Sequence, residues 1–185
     1  PGLLAAFDAT WTRAVLASDP RVSATTVSAV DLADMSVMNE VTTGSGTFLF
    51  FSISPDGEHL LYTSRESGEE QVYCTSFPAG QGRWQVSARG GNRAYWSPDG
   101  SAVYYVSDDD QLMRVDVTRE PALRFGVPRR VFDQTPAVEA LSGIFPAPDG
   151  ERFVAVGDRS DEAQDVGFKL LLIENWYEEF RGGRR

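Results

Sequence analysis

Side chains that carry acid–base or nucleophilic catalysis are scarce in this sequence of 185 residues, which has one histidine, His59, and one cysteine, Cys74. A histidine that acts as a general base needs a nucleophile and an orienting carboxylate within hydrogen-bonding reach. The sequence has no Gly-x-Ser-x-Gly motif, and Gly44-Ser45-Gly46 lacks its spacing. We therefore predict a protein that is not an enzyme, in which His59 is a surface residue beside Glu58.

The sequence also lacks the residue patterns of common metal sites. One histidine and one cysteine cannot supply the nitrogen and sulfur ligands of the common zinc sites. No loop has the Asp-x-Asp-x-Asp-Gly pattern of a calcium-binding loop. Cys74 lies in the strand-like run Val72-Tyr73-Cys74-Thr75, and we interpret it as a packed residue. We expect neither a defined metal site nor a cofactor.

Carboxylates are the chemical groups that the sequence does concentrate. The net charge is −10, from 17 lysines and arginines against 27 aspartates and glutamates. This balance argues against nucleic acid as a partner, because neutralising phosphates requires clustered basic residues. The few arginines at the end form only a short basic tail, 181–185. Many of the acidic residues fall in three short segments, 65–70, 108–110 and 158–165, so their use depends on the elements that position them.

One tetrapeptide, repeated three times, identifies those elements: Ser54-Pro55-Asp56-Gly57, Ser97-Pro98-Asp99-Gly100 and Ala147-Pro148-Asp149-Gly150. Proline presets φ at the second turn position, aspartate bonds nearby backbone, and glycine accepts the positive φ that closes the turn. The three aspartates are therefore interpreted as turn formers. Each copy follows an aromatic-rich segment and precedes a strand-like one, such as Leu60-Leu61-Tyr62.

The spacing of the copies predicts the fold. The three prolines are 43 and 50 residues apart, and a period of this length built from short strands and turns is typical of a β-propeller blade. We predict an all-β propeller segment of about four blades, each a four-stranded antiparallel sheet, in a single domain over 1–180. The blades are placed at about 3–44, 47–89, 92–134 and 138–177, with a longer insertion at 118–128.

The opening of the chain allows two interpretations. A step of 46 residues back from Pro55 reaches Ala9, where Asp8-Ala9-Thr10-Trp11 stands in place of the turn tetrapeptide, so strands would flank a degenerate copy. Alternatively, apolar residues at helical spacing form one face of a helix. These residues are Leu3, Leu4, Phe7, Trp11, Ala14 and Val15.

Antiparallel sheets would bring the acidic segments together. Successive turns alternate between the two ends of a sheet, so the segments between the second and third strands lie opposite the proline-containing turns. They would form an acidic rim around one mouth of the channel, able to attract a cation, a polyamine or a basic peptide. The alternative is a solvated rim that keeps the protein soluble. The predicted members are Glu66, Glu69, Glu70, Asp108, Asp109, Asp110, Asp158 and Asp161.

Aromatic residues in the predicted strands also have two interpretations. They are Phe51, Trp84, Trp96 and Phe145, and they would form either a stacking platform for a ligand or, as we favour, the packing between blades.

The repeats carry a family resemblance. The stretches 51–57, 61–64, 72–78 and 83–87, with Trp96-Ser97-Pro98-Asp99-Gly100 and the terminal Asn175-Trp176, resemble the repeats of TolB-like, WD40-like (PD40) propellers. They look most like the C-terminal propeller of bacterial serine/threonine protein kinases. The resemblance covers roughly 47–180 and, weakly, 3–44. This chain has four such units where these rings usually have six, and it lacks the kinase glycine-rich and His-Arg-Asp loops.

The resemblance implies a function class. It implies a non-catalytic module for protein or ligand binding, the sensory or interaction region of a bacterial protein kinase or a TolB-like protein, in a periplasmic or extracytoplasmic setting. A partner would be a protein or a basic peptide, or a second copy that completes the ring. The alternatives are the gating propeller of a prolyl-oligopeptidase-type serine peptidase, whose catalytic domain is absent here, and a remnant without its own function. No apolar run approaches the ~20 residues of a membrane helix.

Overall fold

The regular structure of the described chain is entirely β. A computed structural model describes residues 3–18, 25–44, 48–131, 141–147, 152–158 and 168–173. Within these ranges there are strands and turns but no helix, and every strand pairing is antiparallel. Accordingly, the described part of the chain has no helix long and apolar enough to cross a membrane. The all-β prediction is confirmed.

The strands form four sheets, which we call blades 1 to 4 in chain order. Blade 1 contains β1 (Leu3–Phe7), β2 (Arg13–Ala17), β3 (Thr25–Asp31) and β4 (Val37–Gly44). Blade 2 contains β5 (Phe48–Ile53), β6 (His59–Ser64), β7 (Gln71–Ser76) and β8 (Trp84–Gln85). Blade 3 contains β9 (Asn92–Trp96), β10 (Ala102–Val106), β11 (Leu112–Thr118), β12 (Arg124–Phe125) and β13 (Arg129–Arg130). Blade 4 contains β14 (Leu141–Pro146), β15 (Phe153–Asp158) and β16 (Phe168–Ile173).

Strands occupy the opening of the chain, so the helical alternative is wrong. The predicted register is confirmed by the hydrogen bonds of the turns. Ser54 N donates to the His59 carbonyl and Gly57 N to the Ser54 carbonyl, both at 2.8 Å. In blade 1, Asp8 N donates to the Arg13 carbonyl at 3.0 Å and Trp11 N to the Asp8 carbonyl at 3.1 Å. Asp8-Ala9-Thr10-Trp11 is therefore a true copy of the turn.

The outer edge of blade 3 differs from the predicted insertion at 118–128. That segment contains β12, and both β12 and β13 pair with β11: Val117 lies opposite Phe125, and Met113 lies opposite Arg130. The two pieces are separated at 126–128, where Pro128 cannot donate to a sheet ladder. One outer strand is thus divided into two short ones.

The blades radiate from a common axis. The first strand of each blade lies beside the first strand of the next: β1 beside β5, β5 beside β9, and β9 beside β14. Leu60 and Tyr62 of β6 point into the core shared with blade 1, whereas Leu61 points into the core shared with blade 3. Side chains alternate across a strand, so a blade between two others is apolar on both faces.

Candidate functional site

The predicted acidic rim is assembled where two turns meet the loop that joins blades 2 and 3. Gly91 N in that loop donates to the carbonyl of Glu70 at 2.8 Å. The carboxylate of Asp108 lies directly against the Cα of Gly90, which has φ +64° and leaves no room for a Cβ. The turn between β6 and β7 and the turn between β10 and β11 therefore lie at the same end of the blades.

Charges on the two turns act on one another. The pKa of the Asp108 carboxyl is raised above its ordinary value, first by burial and then by the negative charges of Glu69, Glu70, Asp109 and Asp110. Nearby like charges disfavour the ionised form of a carboxyl group. The structure thus brings these five predicted residues into one region of negative potential.

Two predicted members of the rim serve a structural purpose. Arg65 Nε donates to Glu70 at 2.9 Å, and Asn92 donates to the other oxygen of Glu70 at 2.6 Å. Arg83 forms an ion pair with Glu66 at 2.8 Å. Among the rim members whose side chains the structure describes, Glu69, Asp108, Asp109 and Asp110 form no ion pair with a described residue. The sequence alone does not distinguish the paired acids of the rim from the unpaired ones.

The contribution of blade 4 to the rim, predicted for Asp158 and Asp161, remains a prediction. Asp158 is the last residue of β15 and lies opposite Phe168 of β16. Asp161 and the rest of its loop lie outside the described residues.

A cleft that sequence reasoning missed lies at the opposite end of the blades. Its volume is about 420 Å³, and it is bounded by the ends of β1, β5 and β9 and by the turns that follow them. Trp11, which is 69% exposed, stacks on Phe7 of its wall with ring centroids 4.8 Å apart. Three blades contribute to this cleft, so no single repeat signals it. The lining residues are Phe7, Ala9, Ser52, Ile53, Ser54, Pro55, Tyr95, Trp96, Ser97 and Pro98.

The turn aspartates have the predicted role and, in blade 2, a further one. Asp99 accepts hydrogen bonds from Ser97 Oγ at 2.6 Å and from Ser101 N at 3.0 Å, within its own turn. Asp56 accepts one from Glu58 N at 3.1 Å, but it also forms an ion pair with Arg119 of blade 3 at 2.5 Å. This contact between blades has no periodic signal in the sequence. Asp149 lies outside the described residues.

The surface interpretation of His59 needs correction. The imidazole is half-buried, with its ring centroid 6.5 Å from that of Trp84 and 6.3 Å from that of Trp96. Burial is the main reason that the pKa of His59 is lowered, with the Arg119 charge acting in the same direction. A lowered pKa favours the neutral form of the ring. Sequence reasoning missed its burial because Trp96, which covers it, belongs to the next blade.

Three of the four aromatic residues lie in the packing between blades, as we favoured. Trp96 is buried in the core between blades 2 and 3, and Trp84 packs against that core. Phe51 packs against the core between blades 1 and 2. The Phe145 side chain lies outside the described residues.

Solved structures with the same architecture show what this fold resembles. TolB from Acinetobacter baumannii superposes with a TM-score of 0.67 at 21% identity, over 93% of this chain and 40% of its own. A putative TolB from Agrobacterium tumefaciens gives 0.61 at 16% identity, over 92% and 60%. The Cps50 (Swd1) β-propeller domain of Myceliophteria thermophila gives 0.60 at 18% identity, over 94% and 52%.

These similarities concern the fold. No family model matches this sequence, and no curated protein shows significant sequence similarity to it. The chain spans between 40% and 60% of the length of the structures named above. Four antiparallel sheets around a common axis, together with these neighbours, show that the chain has the fold of TolB-like and WD40-like β-propellers.

Proposed function

We propose that this chain is a non-catalytic module that binds a protein or peptide partner, and that it recognises a basic segment of that partner. The observation that carries this proposal is the acidic rim, where four carboxylates from two blades lie at one end of the propeller without an ion pair among the described residues. TolB and WD40 propellers among the neighbours support an interaction module. The neighbours named above do not favour the gating propeller of a peptidase.

The rim has the electrostatics for a cationic partner. Burial and then repulsion from the neighbouring carboxylates raise the pKa of Asp108, and a lysine or arginine placed among these carboxylates relieves the repulsion. A surface of one charge also steers an oppositely charged partner and speeds association, with a strong dependence on salt. Glu66 and Glu70 are already paired, and they fix the turn between β6 and β7 to Arg83 and to Asn92.

We propose that the module forms the sensory or interaction region of a bacterial protein kinase or of a TolB-like protein, in an extracytoplasmic setting. The support is the resemblance of its repeats to those propellers and the TolB fold of its neighbours. Sequencing of the surrounding reading frame tests this context: a kinase domain upstream supports it, and a hydrolase with a Gly-x-Ser-x-Gly motif contradicts it.

A salt-dependent titration tests the rim. The probe is an oligolysine peptide, with oligoglutamate as the negative probe, and binding is followed by calorimetry at several salt concentrations. Removing two charges with Asp108→Asn and Asp110→Asn should weaken oligolysine binding roughly three- to tenfold, because an exposed charge contact contributes up to about 1 kcal/mol. Asparagine tolerates the positive φ of 55° at position 110, so the turn should survive.

The control removes the same charge elsewhere. Glu40→Gln with Glu120→Gln changes two exposed acids outside the rim and should leave the dissociation constant within twofold, a range set by long-range screening. Equal losses in the two double variants, or binding that is insensitive to salt, would show that the rim is only a solvated surface.

A further inference from the structure

A second cluster of potential ligands lies at the turn end of blade 2, away from the acidic rim. Asp56, Glu58 and His59 each offer one ligand atom, and these atoms lie within 4.8 Å of one another. Asp56 belongs to the turn between β5 and β6, and His59 is the first residue of β6. Two carboxylates and one imidazole are a donor set that accepts borderline divalent cations such as zinc.

Comparison with blade 3 shows that the turn forms without this full set of three potential ligands. In blade 3 the equivalent positions are Asp99, Ser101 and Ala102. That turn has the same backbone bonds, with Ser97 N donating to the Ala102 carbonyl at 2.8 Å and Gly100 N to the Ser97 carbonyl at 2.9 Å. Glu58 and His59 are therefore not explained by turn formation.

Two of the donors are available. The Nδ1 atom of His59 is buried and has no hydrogen-bond partner among the described residues. The carboxylate of Glu58 is exposed and forms no ion pair within the part of the chain that the structure describes. A buried ring nitrogen without a partner costs free energy, which a bound cation would recover.

The third donor is already engaged by a cation from the protein itself. Arg119 Nη1 lies 2.5 Å from Asp56 Oδ2, and the guanidinium sits 5.8 Å from the centre of the Trp96 ring. Its Nε and Nη2 atoms are buried and have no hydrogen-bond partner among the described residues. Arg119 therefore supplies a positive charge to the cluster while most of its own donors remain unsatisfied.

We propose that Asp56, Glu58 and His59 form a site for a zinc-type divalent cation, and that Arg119 competes with the metal for Asp56. The imidazole favours zinc, nickel or cobalt over magnesium and calcium, which prefer oxygen ligands alone. Three protein ligands leave a coordination position for water or for a group from a partner. Because Arg119 belongs to blade 3, metal binding would exchange a contact between blades for one within blade 2.

The test is a titration of the full chain with Zn²⁺ alone, followed by calorimetry, with quenching of tryptophan fluorescence by Ni²⁺ as a second readout. Trp84 and Trp96 lie close enough to His59 to report on the site. We expect saturable one-to-one binding of zinc and no comparable binding of Mg²⁺. His59→Gln and Glu58→Ser should each weaken binding at least about tenfold, the loss expected for one ligand group.

Three variants separate this site from general carboxylate binding. Glu58→Ser copies the residue that blade 3 uses, so the turn should persist, and thermal unfolding verifies it. Arg119→Gln should tighten zinc binding by about tenfold, since it removes a competing charge at ion-pair distance. Asp108→Asn with Asp110→Asn should leave zinc binding unchanged. The proposal fails if binding is not saturable, if it survives His59→Gln, or if the rim variant loses it.

Discussion

The single carboxylate of Asp8 accepts the hydrogen bonds that two side chains accept in blade 2. Thr12 N and Arg13 N donate to Asp8 Oδ1 at 2.9 and 3.0 Å, and Thr10 Oγ donates to Oδ2 at 2.8 Å. In blade 2 the equivalent bonds are divided, with Ser54 Oγ accepting from His59 N and Asp56 accepting from Glu58 N. The Asp8 side chain is only 2% exposed, so its bonds are shielded from water.

These bonds make the stability of the protein depend on pH. Burial acts to raise the pKa of Asp8, but hydrogen bonds from Arg13, Thr10 and Thr12 outweigh it and hold the pKa at about 2. A folded-state pKa below the unfolded value stabilises the protein above that unfolded value, and the contribution disappears as pH falls towards 2. Asp8→Asn should therefore lower the free energy of unfolding by about 2 kcal/mol at neutral pH.

Urea unfolding at a series of pH values between neutral and strongly acidic measures this effect. The difference between wild type and Asp8→Asn should shrink as the solution becomes acidic. Glu40→Gln, at an exposed position, is the control and should show no such convergence. A difference that is constant with pH would mean that the carboxylate charge of Asp8 is unimportant.

Single residues could be predicted from the sequence when their role was local. The spacing of the repeats predicted that Trp11 occupies the turn position at which blades 2 and 3 have glycine. The φ angle of Trp11 is +56°, close to +73° at Gly57 and +68° at Gly100. The pairing of Arg119 with Asp56 and the burial of His59 depend on the next blade. Such contacts have no counterpart in turn propensity or side-chain alternation, so the sequence did not indicate them.

Strand β6 shows why a second strand of a repeat does not alternate between buried and exposed residues. Its residues from Leu60 to Ser64 are all buried, because blade 1 covers one face and blade 3 the other. A strand exposed on one side would alternate apolar and polar residues instead. Packing between blades therefore determines the composition of the strand.

Truncation of Leu61 measures the packing between blades 2 and 3. Leu61 is fully buried in their shared core, so Leu61→Ala should lower the free energy of unfolding by about 3 kcal/mol through lost burial and the cavity left behind. Denaturant unfolding is the measurement. Val127→Ala, at a position that is 88% exposed, is the matched control and should have almost no effect. A small loss for Leu61→Ala would contradict the packing of these two blades.

The elements followed from the sequence where turn chemistry was clear. The repeated tetrapeptide predicted a strand directly after each copy, and Leu60-Leu61-Tyr62 indeed lies within β6. The outer edge of blade 3 was less predictable, since β12 and β13 are two-residue strands held by tertiary pairing with β11. Segments this short have almost no periodicity from which a strand can be inferred.

At the scale of the whole molecule, blades 1 and 2 meet at a backbone contact. Gly80, in the loop between β7 and β8, has φ +67°, and a Cβ at this position would overlap the carbonyl oxygen of Val41 in β4. Gly68, in the turn between β6 and β7, has φ +93° but faces open space. The two glycines share a conformational requirement and differ in what surrounds them.

Alanine substitutions at these glycines separate the cost of a positive φ from the cost of steric overlap with β4. Gly68→Ala should lower the free energy of unfolding by about 1 kcal/mol, the cost of a positive φ with a side chain. Gly80→Ala should cost about 1–3 kcal/mol more, because the backbone of β4 must shift. Thermal and denaturant unfolding of both variants give the comparison. Equal losses would show that the contact between Gly80 and Val41 does not hold the blades together.

The arrangement of blades explains why the acidic rim could be anticipated only in part. Alternation of turns placed the acids of blades 2 and 3 at one end, and there they influence the pKa of Asp108. The pairing of Glu66 with Arg83 and of Glu70 with Arg65 and Asn92 depends on side-chain reach across the sheet and between blades. Charge counting along a sequence does not reveal which acids are neutralised.

The turn of the first blade keeps its backbone geometry without the residues that mark the same turn in blades 2 and 3. Its corner has lost the proline, the glycine and the serine, yet the same backbone atoms remain bonded. The Asp8 carboxylate, two positions before the site of the turn aspartate, accepts the backbone hydrogen bonds that Asp56 and Ser54 accept in blade 2. A search for intact turn tetrapeptides therefore finds three units in a chain that folds into four blades.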